Sequence, residues 1–68
     1  MLDQYVTKTE AVLDVMQRTN SGRFIVEKKM NELESTGRIR FVEDPRDSRR
    51  KLISREHVEE VVRALTTI

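Results

Sequence analysis

Four basic side chains fall within six residues of this sequence: Arg46, Arg49, Arg50 and Lys51. Asp47 lies among them and Asp44 just before them. Guanidinium and ammonium groups at this density suit a polyanion, because each donates several N–H bonds to phosphate oxygens while neutralising their charge. The two aspartates are placed to hold the guanidinium groups by charge-assisted bonds; the alternative is a self-neutralised surface turn. A second set, Phe24, Glu27, Lys28 and Asn31, recurs at spacings of three and four, which puts it on one side of a helix with Arg23 at the N-terminal edge. Its chemistry is that of base-edge reading: arginine or lysine with guanine, asparagine with adenine, and Phe24 against a thymine methyl. Glu27 repels phosphates unless it accepts from a cytosine amine or braces Arg23. The competing assignment makes Arg23, Lys28 and Lys29 ordinary solvated residues paired with Glu27 and Glu32, and lets Phe24 cap the core. Thr19 and Ser21 carry hydroxyls that suit phosphate contacts of low specificity.

Other chemistry is limited by what the chain lacks. It has no cysteine, so neither a disulfide nor a thiolate metal site is available. His57 is the single histidine; it reads as a surface helix residue, and no metal or other cofactor is expected. No nucleophile–base pair, glycine-rich phosphate loop or carboxylate pair at convincing spacing is present, and a cleft that excludes water needs more walls than 68 residues provide. The expectation is a binding module, not an enzyme. With Met1 read as a native start, residues 1–68 form one domain. A chain this short hides only ~60% of the surface its unfolded form exposes, and one core of this size seldom supplies more than ~3–5 kcal/mol. Only 37% of residues are hydrophobic, but they are grouped with clear periodicity, which argues against disorder. No apolar run approaches the ~20 residues of a membrane span, and MLDQYVTKTE lacks the features of a signal peptide. A cytoplasmic location without a membrane partner is expected.

The net charge of +1 hides an asymmetry. Residues 18–51 carry ten basic and six acidic side chains, whereas the two ends together carry three basic and six acidic ones. A basic middle between acidic ends is the distribution of a chain with one cationic face.

The elements that must position these groups are marked by local signals. Residues 1–6 read as a short arm, with Tyr5 and Val6 able to pack on the helix after them. Thr7 and Glu10 have capping-box spacing, and Val12, Val15 and Met16 form a helical stripe, so a first helix is expected at about 8–18. Thr19-Asn20-Ser21-Gly22 is a turn, in which Asn20 or Gly22 takes the left-handed conformation and Ser21 or Gly22 caps the next helix. That helix is expected over 23–35, with Val26, Met30 and Leu33 inward and Gly37 just past its end. Residues 38–42 alternate polar and apolar, 43–48 form a turn-rich tip with the only proline, and 49–53 return. Residues 38–53 therefore read as a β-hairpin. Ser54 caps a last helix over about 55–66, striped by Val58, Val61, Val62 and Leu65. The fold class is α+β, in the order helix, helix, β-hairpin, helix, which is a winged helix-turn-helix outline.

The residues also resemble particular families. Thr7-x-x-Glu10-Ala11 opening the first helix, and Ile53-Ser54-Arg55-Glu56-His57-Val58 opening the last, are similar to the small winged-helix excisionases and the DNA-binding domains of MerR-type regulators, and this likeness spans nearly the whole chain. LESTGRIRFVEDPRDSRRKLIS (residues 33–54) resembles the wing of MarR-type repressors, with its leucine, polar run, glycine, strand and Asp-Pro-x-Asp-x-Arg. That second likeness implies that Asp47 orients the wing arginines and that Arg46 or Arg49 reaches a minor groove. MarR-type proteins dimerise through outer helices not matched here, so their dimer is not implied. Both likenesses imply duplex DNA as the partner, with helix 23–35 in the major groove and wing 43–51 at the minor groove. They differ on role: a recombination directionality factor with an integrase or other protein partner, or a small nucleoid-associated transcriptional regulator. Leu13 and Ile68 lie off the core stripes and are available for self-association or cooperative binding. The competing function is a winged-helix interaction module that takes an acidic protein.

Overall fold

The computed structural model describes residues 4–66. Its elements are β1 (Tyr5–Thr7), α1 (Lys8–Thr19), α2 (Arg23–Ser35), β2 (Phe41–Asp44), β3 (Asp47–Ser54) and α3 (Arg55–Thr66). The three strands form one antiparallel sheet in the order β1-β3-β2. The fold is α+β, with the helix-helix-hairpin-helix order of a winged helix.

The largest departure from expectation lies at the start of the chain. Residues 5–7 are not a loose arm but an edge strand, paired Tyr5 to Ser54, Val6 to Ile53 and Thr7 to Leu52. Thr7 ends this strand and also caps α1: its Oγ1 accepts from the Glu10 amide at 3.1 Å, and the Glu10 carboxylate accepts from the Thr7 amide at 3.3 Å. At the other end of the ladder, Ser54 closes β3 and its Oγ accepts from the His57 amide at 3.2 Å, which caps α3. Two helices thus leave the same ladder at opposite ends, with no loop in between.

The turn between α1 and α2 takes the first of the two options for its left-handed residue and the second for its cap. Asn20 is left-handed at φ 54°, and its amide donates to the Met16 carbonyl. Gly22 is the N-cap of α2 in extended geometry and makes no side-chain cap. At the far end of α2, Gly37 sits at φ +79°, where the Gly37 amide donates to Glu34 O at 3.1 Å and the Arg38 amide to Leu33 O at 2.9 Å. This pair of hydrogen bonds across a left-handed glycine is a Schellman stop.

That stop displaces the hairpin. The Arg38 and Ile39 amides both bond to Leu33 O, so residues 38–40 complete the helix end and are not strand; Ile39 still buries its side chain. β2 begins at Phe41 and runs on to Asp44, β3 starts already at Asp47, and the tip shrinks to Pro45 and Arg46. The aspartates shorten it: Asp44 Oδ1 accepts from the Arg46 amide at 2.9 Å and Asp47 Oδ1 from the Arg49 amide at 3.0 Å. His57 also departs from the surface role expected of it. It is half-buried, and its Nδ1 accepts from the Arg40 amide at 3.2 Å, tying the entry to β2 onto α3.

The core is wholly apolar among the described residues. Val12 and Val15 of α1, Val26, Met30 and Leu33 of α2, and Val58 and Val61 of α3 meet Ile53 from the inner face of the sheet. Met30 is fully buried at the centre. Outside the core, a bidentate ion pair clamps α1 to α3, with Arg18 Nη1 2.5 Å and Nη2 2.8 Å from the two Glu59 carboxylate oxygens. The guanidinium bonds hold the Glu59 carboxyl below the usual carboxylate range.

Replacing a buried methionine with alanine costs about 2–5 kcal/mol, comparable with the whole stability of a one-core domain this small. Met30→Ala is therefore expected to lose most of its helical circular dichroism at room temperature. The Glu59 group has its folded pKa depressed, so its contribution is present above the unfolded value of about 4.3 and is lost as pH falls through the folded value. Glu59→Gln should melt below wild type at neutral pH, and the gap should close on acidification below about pH 4; a melting series across pH measures it.

Candidate nucleic-acid interface

With Val26, Met30 and Leu33 turned into the core, α2 has no freedom in what it presents outward. Arg23, Phe24, Lys28 and Asn31 are exposed and Glu27 is half-exposed. Phe24, Glu27, Lys28 and Asn31 line one shallow concavity together with Glu32 and Ser35. The expected face is brought together as a single surface. Phe24 is 77% exposed, which rules out its alternative role as a core cap. Glu27 Oε2 accepts from Arg23 Nε at 3.1 Å, one turn away, which matches the bracing expected of it and equally the pairing of the solvated-residue assignment. Lys29 pairs with Glu32 at 3.0 Å, whereas Lys28 has no carboxylate partner among the described residues. A cation without a partner has no ion pair to break before it meets an anion, and it keeps its full charge at the surface.

Thr19 and Ser21 sit in the turn before α2, both half-buried. Thr19 donates to the Val15 carbonyl at 2.7 Å, and its oxygen lies 2.8 Å from the Ser21 hydroxyl. The two hydroxyls brace the turn, and donation to a phosphate needs one of these bonds to be exchanged.

The wing presents Arg46, Arg49, Arg50 and Lys51, all exposed. Its aspartates divide the work unevenly. Asp47 does hold a guanidinium, with Arg49 Nε at 3.2 Å, and its carboxyl is held below the usual carboxylate range by the Arg49 amide first and the Arg49 side chain second. Asp44 bonds instead to the Arg46 backbone amide and leaves that residue's guanidinium alone. Arg46 and Lys51 have no ion-pair partner among the described residues, and Arg50 acts on Asp47 by charge without a direct bond. Sequence reasoning missed one neighbour of this set. The first turn of α1 comes up against the wing root, where Thr7, Lys8, Thr9 and Glu10 share an open groove with Arg49, Arg50 and Lys51. Only the β1–β3 pairing creates that approach.

Leu13 is 50% and Ile25 is 53% exposed, so apolar surface is available outside the core, while Ile68 lies outside the described residues. No cluster of three or more potential metal-ligating side chains is present among the described residues. No helix there is long and apolar enough to cross a membrane. No protein-family model matches the chain, and no curated protein or solved structure matches it.

Because Phe24 touches solvent and not core, Phe24→Ala is expected to change folding stability by no more than about 0.5 kcal/mol. Urea denaturation beside the Met30 variant measures this. A larger loss would return Phe24 to a structural role.

Proposed function

We propose that this protein binds double-stranded DNA with sequence preference, with α2 in the major groove and wing residues 43–51 at the minor groove. One observation carries the reading: the outward face of α2 joins an exposed aromatic ring, an unpaired lysine and an exposed asparagine in one shallow surface. The major groove admits one helix, and N-terminal residues of such a helix meet the base edges. Phe24, Lys28 and the Arg23–Glu27 pair occupy that end of α2, with Asn31 one turn further on. The wing is thin enough for the ~6 Å minor groove, where an arginine is favoured by the strong negative potential of narrow stretches. Arg46, at the apex of a two-residue tip, is the side chain best placed to enter.

Two roles fit this reading: an excisionase-like recombination directionality factor, or a small transcriptional regulator. The excisionase likeness of the two helix starts points to the first, whereas the MerR-type likeness of the same residues and the MarR-type likeness of the wing point to the second. The exposed basic wing also supports a different reading, a module that docks an acidic protein, since winged helices serve more than one function.

Selection from random duplexes, followed by affinity measurement over a range of salt, separates these readings. Lys28→Ala is expected to lower discrimination between selected and scrambled duplexes by about 1–3 kcal/mol. The Arg46→Ala/Arg49→Ala pair is expected to weaken binding to both by similar factors. If wild type has no affinity for any duplex at low salt, the DNA reading fails and the protein-docking module takes its place.

A further inference from the structure

The ladder between β2 and β3 is irregular at the wing. Glu43 pairs with Lys51, but the next residue, Asp44, pairs with Asp47, so residues 48–50 are extra on the β3 side. A regular strand sends successive side chains to opposite faces, whereas a bulge re-aims them. Here Arg49, Arg50 and Lys51, three consecutive residues, all line the groove that faces the first turn of α1. Across it stands Lys8, whose ammonium sits 5.0 Å from the centre of the Phe41 ring. A cation held over a ring face keeps its charge, and Lys8 has no carboxylate partner among the described residues. One acid, Glu10, lines the groove; it accepts from the Thr7 amide and hydroxyl and keeps its charge, against the four cations Lys8, Arg49, Arg50 and Lys51. The Glu10 amide is taken by the Thr7 hydroxyl, so the attraction for an anion comes from side chains of two separate elements, not from the helix end.

We propose that this groove is a channel for the phosphate backbone of one DNA strand, with Lys8 on one wall and Arg49, Arg50 and Lys51 on the other. The proposal rests on the DNA reading above and extends it to α1. It makes the wing arginines do two jobs: Arg46 at the tip reaches inward to the groove floor of the duplex, while the wing root grips the backbone beside it. The contact is blind to sequence, because it meets phosphates only.

The test is a salt titration of duplex affinity with the intact chain, using wild type, Lys8→Gln, Lys8→Arg and Lys51→Gln on two unrelated duplexes. Each phosphate neutralised contributes about −0.9 to the slope of log K against log salt. Lys8→Gln is expected to make the slope shallower by about that amount on both duplexes, so that between about 50 and 200 mM salt it loses roughly 3.5-fold less affinity than wild type. Lys8→Arg should keep the wild-type slope. Lys51→Gln should reproduce the Lys8→Gln change from the opposite wall, without touching the start of α1. If Lys8→Gln and Lys51→Gln both keep the wild-type slope while the Arg46→Ala/Arg49→Ala pair still weakens binding, the channel is overturned and the DNA reading stands. If wild type binds neither duplex at low salt, both fall together.

Discussion

Three rungs between β1 and β3 are the constraint on which the rest of the molecule depends. The ladder is only as long as Tyr5–Thr7, yet its two ends are the starting points of α1 and α3. Individual hydrogen bonds of this kind are worth only about 0.5–1.5 kcal/mol each. Their importance is geometric, because both helix caps are built on residues already fixed in the sheet. Thr7 serves as rung and cap, as does Ser54. A helix launched directly from a strand cannot swivel about a linker, so the ladder fixes the placement of α1 relative to β3 together with the packing of the apolar stripes.

This economy suits a chain with little stability to spare. No polar or charged residue is buried among the described residues, so folding carries no desolvated side-chain charge to satisfy. The charged side chains, more than a third of the sequence, are left to the surface, where they sort into two kinds. Some are tied in pairs that join or support helices, as Arg18 with Glu59 and Arg23 with Glu27. Others, Lys8, Lys28, Arg46 and Lys51, stand without acid partners among the described residues, on α1, α2 and the wing. The first kind contributes to shape, and the second to the potential felt by whatever approaches.

Much of this was legible in the sequence because its signals are local. The Thr7–Glu10 box, the stripe Val26-Met30-Leu33 and Gly37 each declare themselves within a turn of helix, and α2 has the bounds that the pattern implies. The exposed face of α2 emerges from its buried one by subtraction. What was not legible depends on partners distant in the chain. Tyr5-Val6-Thr7 is too short to show a period of two, and it becomes a strand only because β3 offers an edge. Residues 38–42 do show that period, but the backbone amides of Arg38 and Ile39 are claimed by Leu33 and so belong to the helix end. The pairing of His57 with Arg40 spans seventeen residues and has no local signature. The concavity beside Lys8 needed both the missed strand and the unforeseen bulge.

The two-residue tip has a further meaning for how such a molecule changes over generations. Pro45 and Arg46 are exposed and are not members of the buried cluster, and their turn is held by the neighbouring aspartate's own carboxylate. Lengthening, shortening or recharging this apex therefore changes the reach and charge of the wing at little thermodynamic cost to the body beneath it.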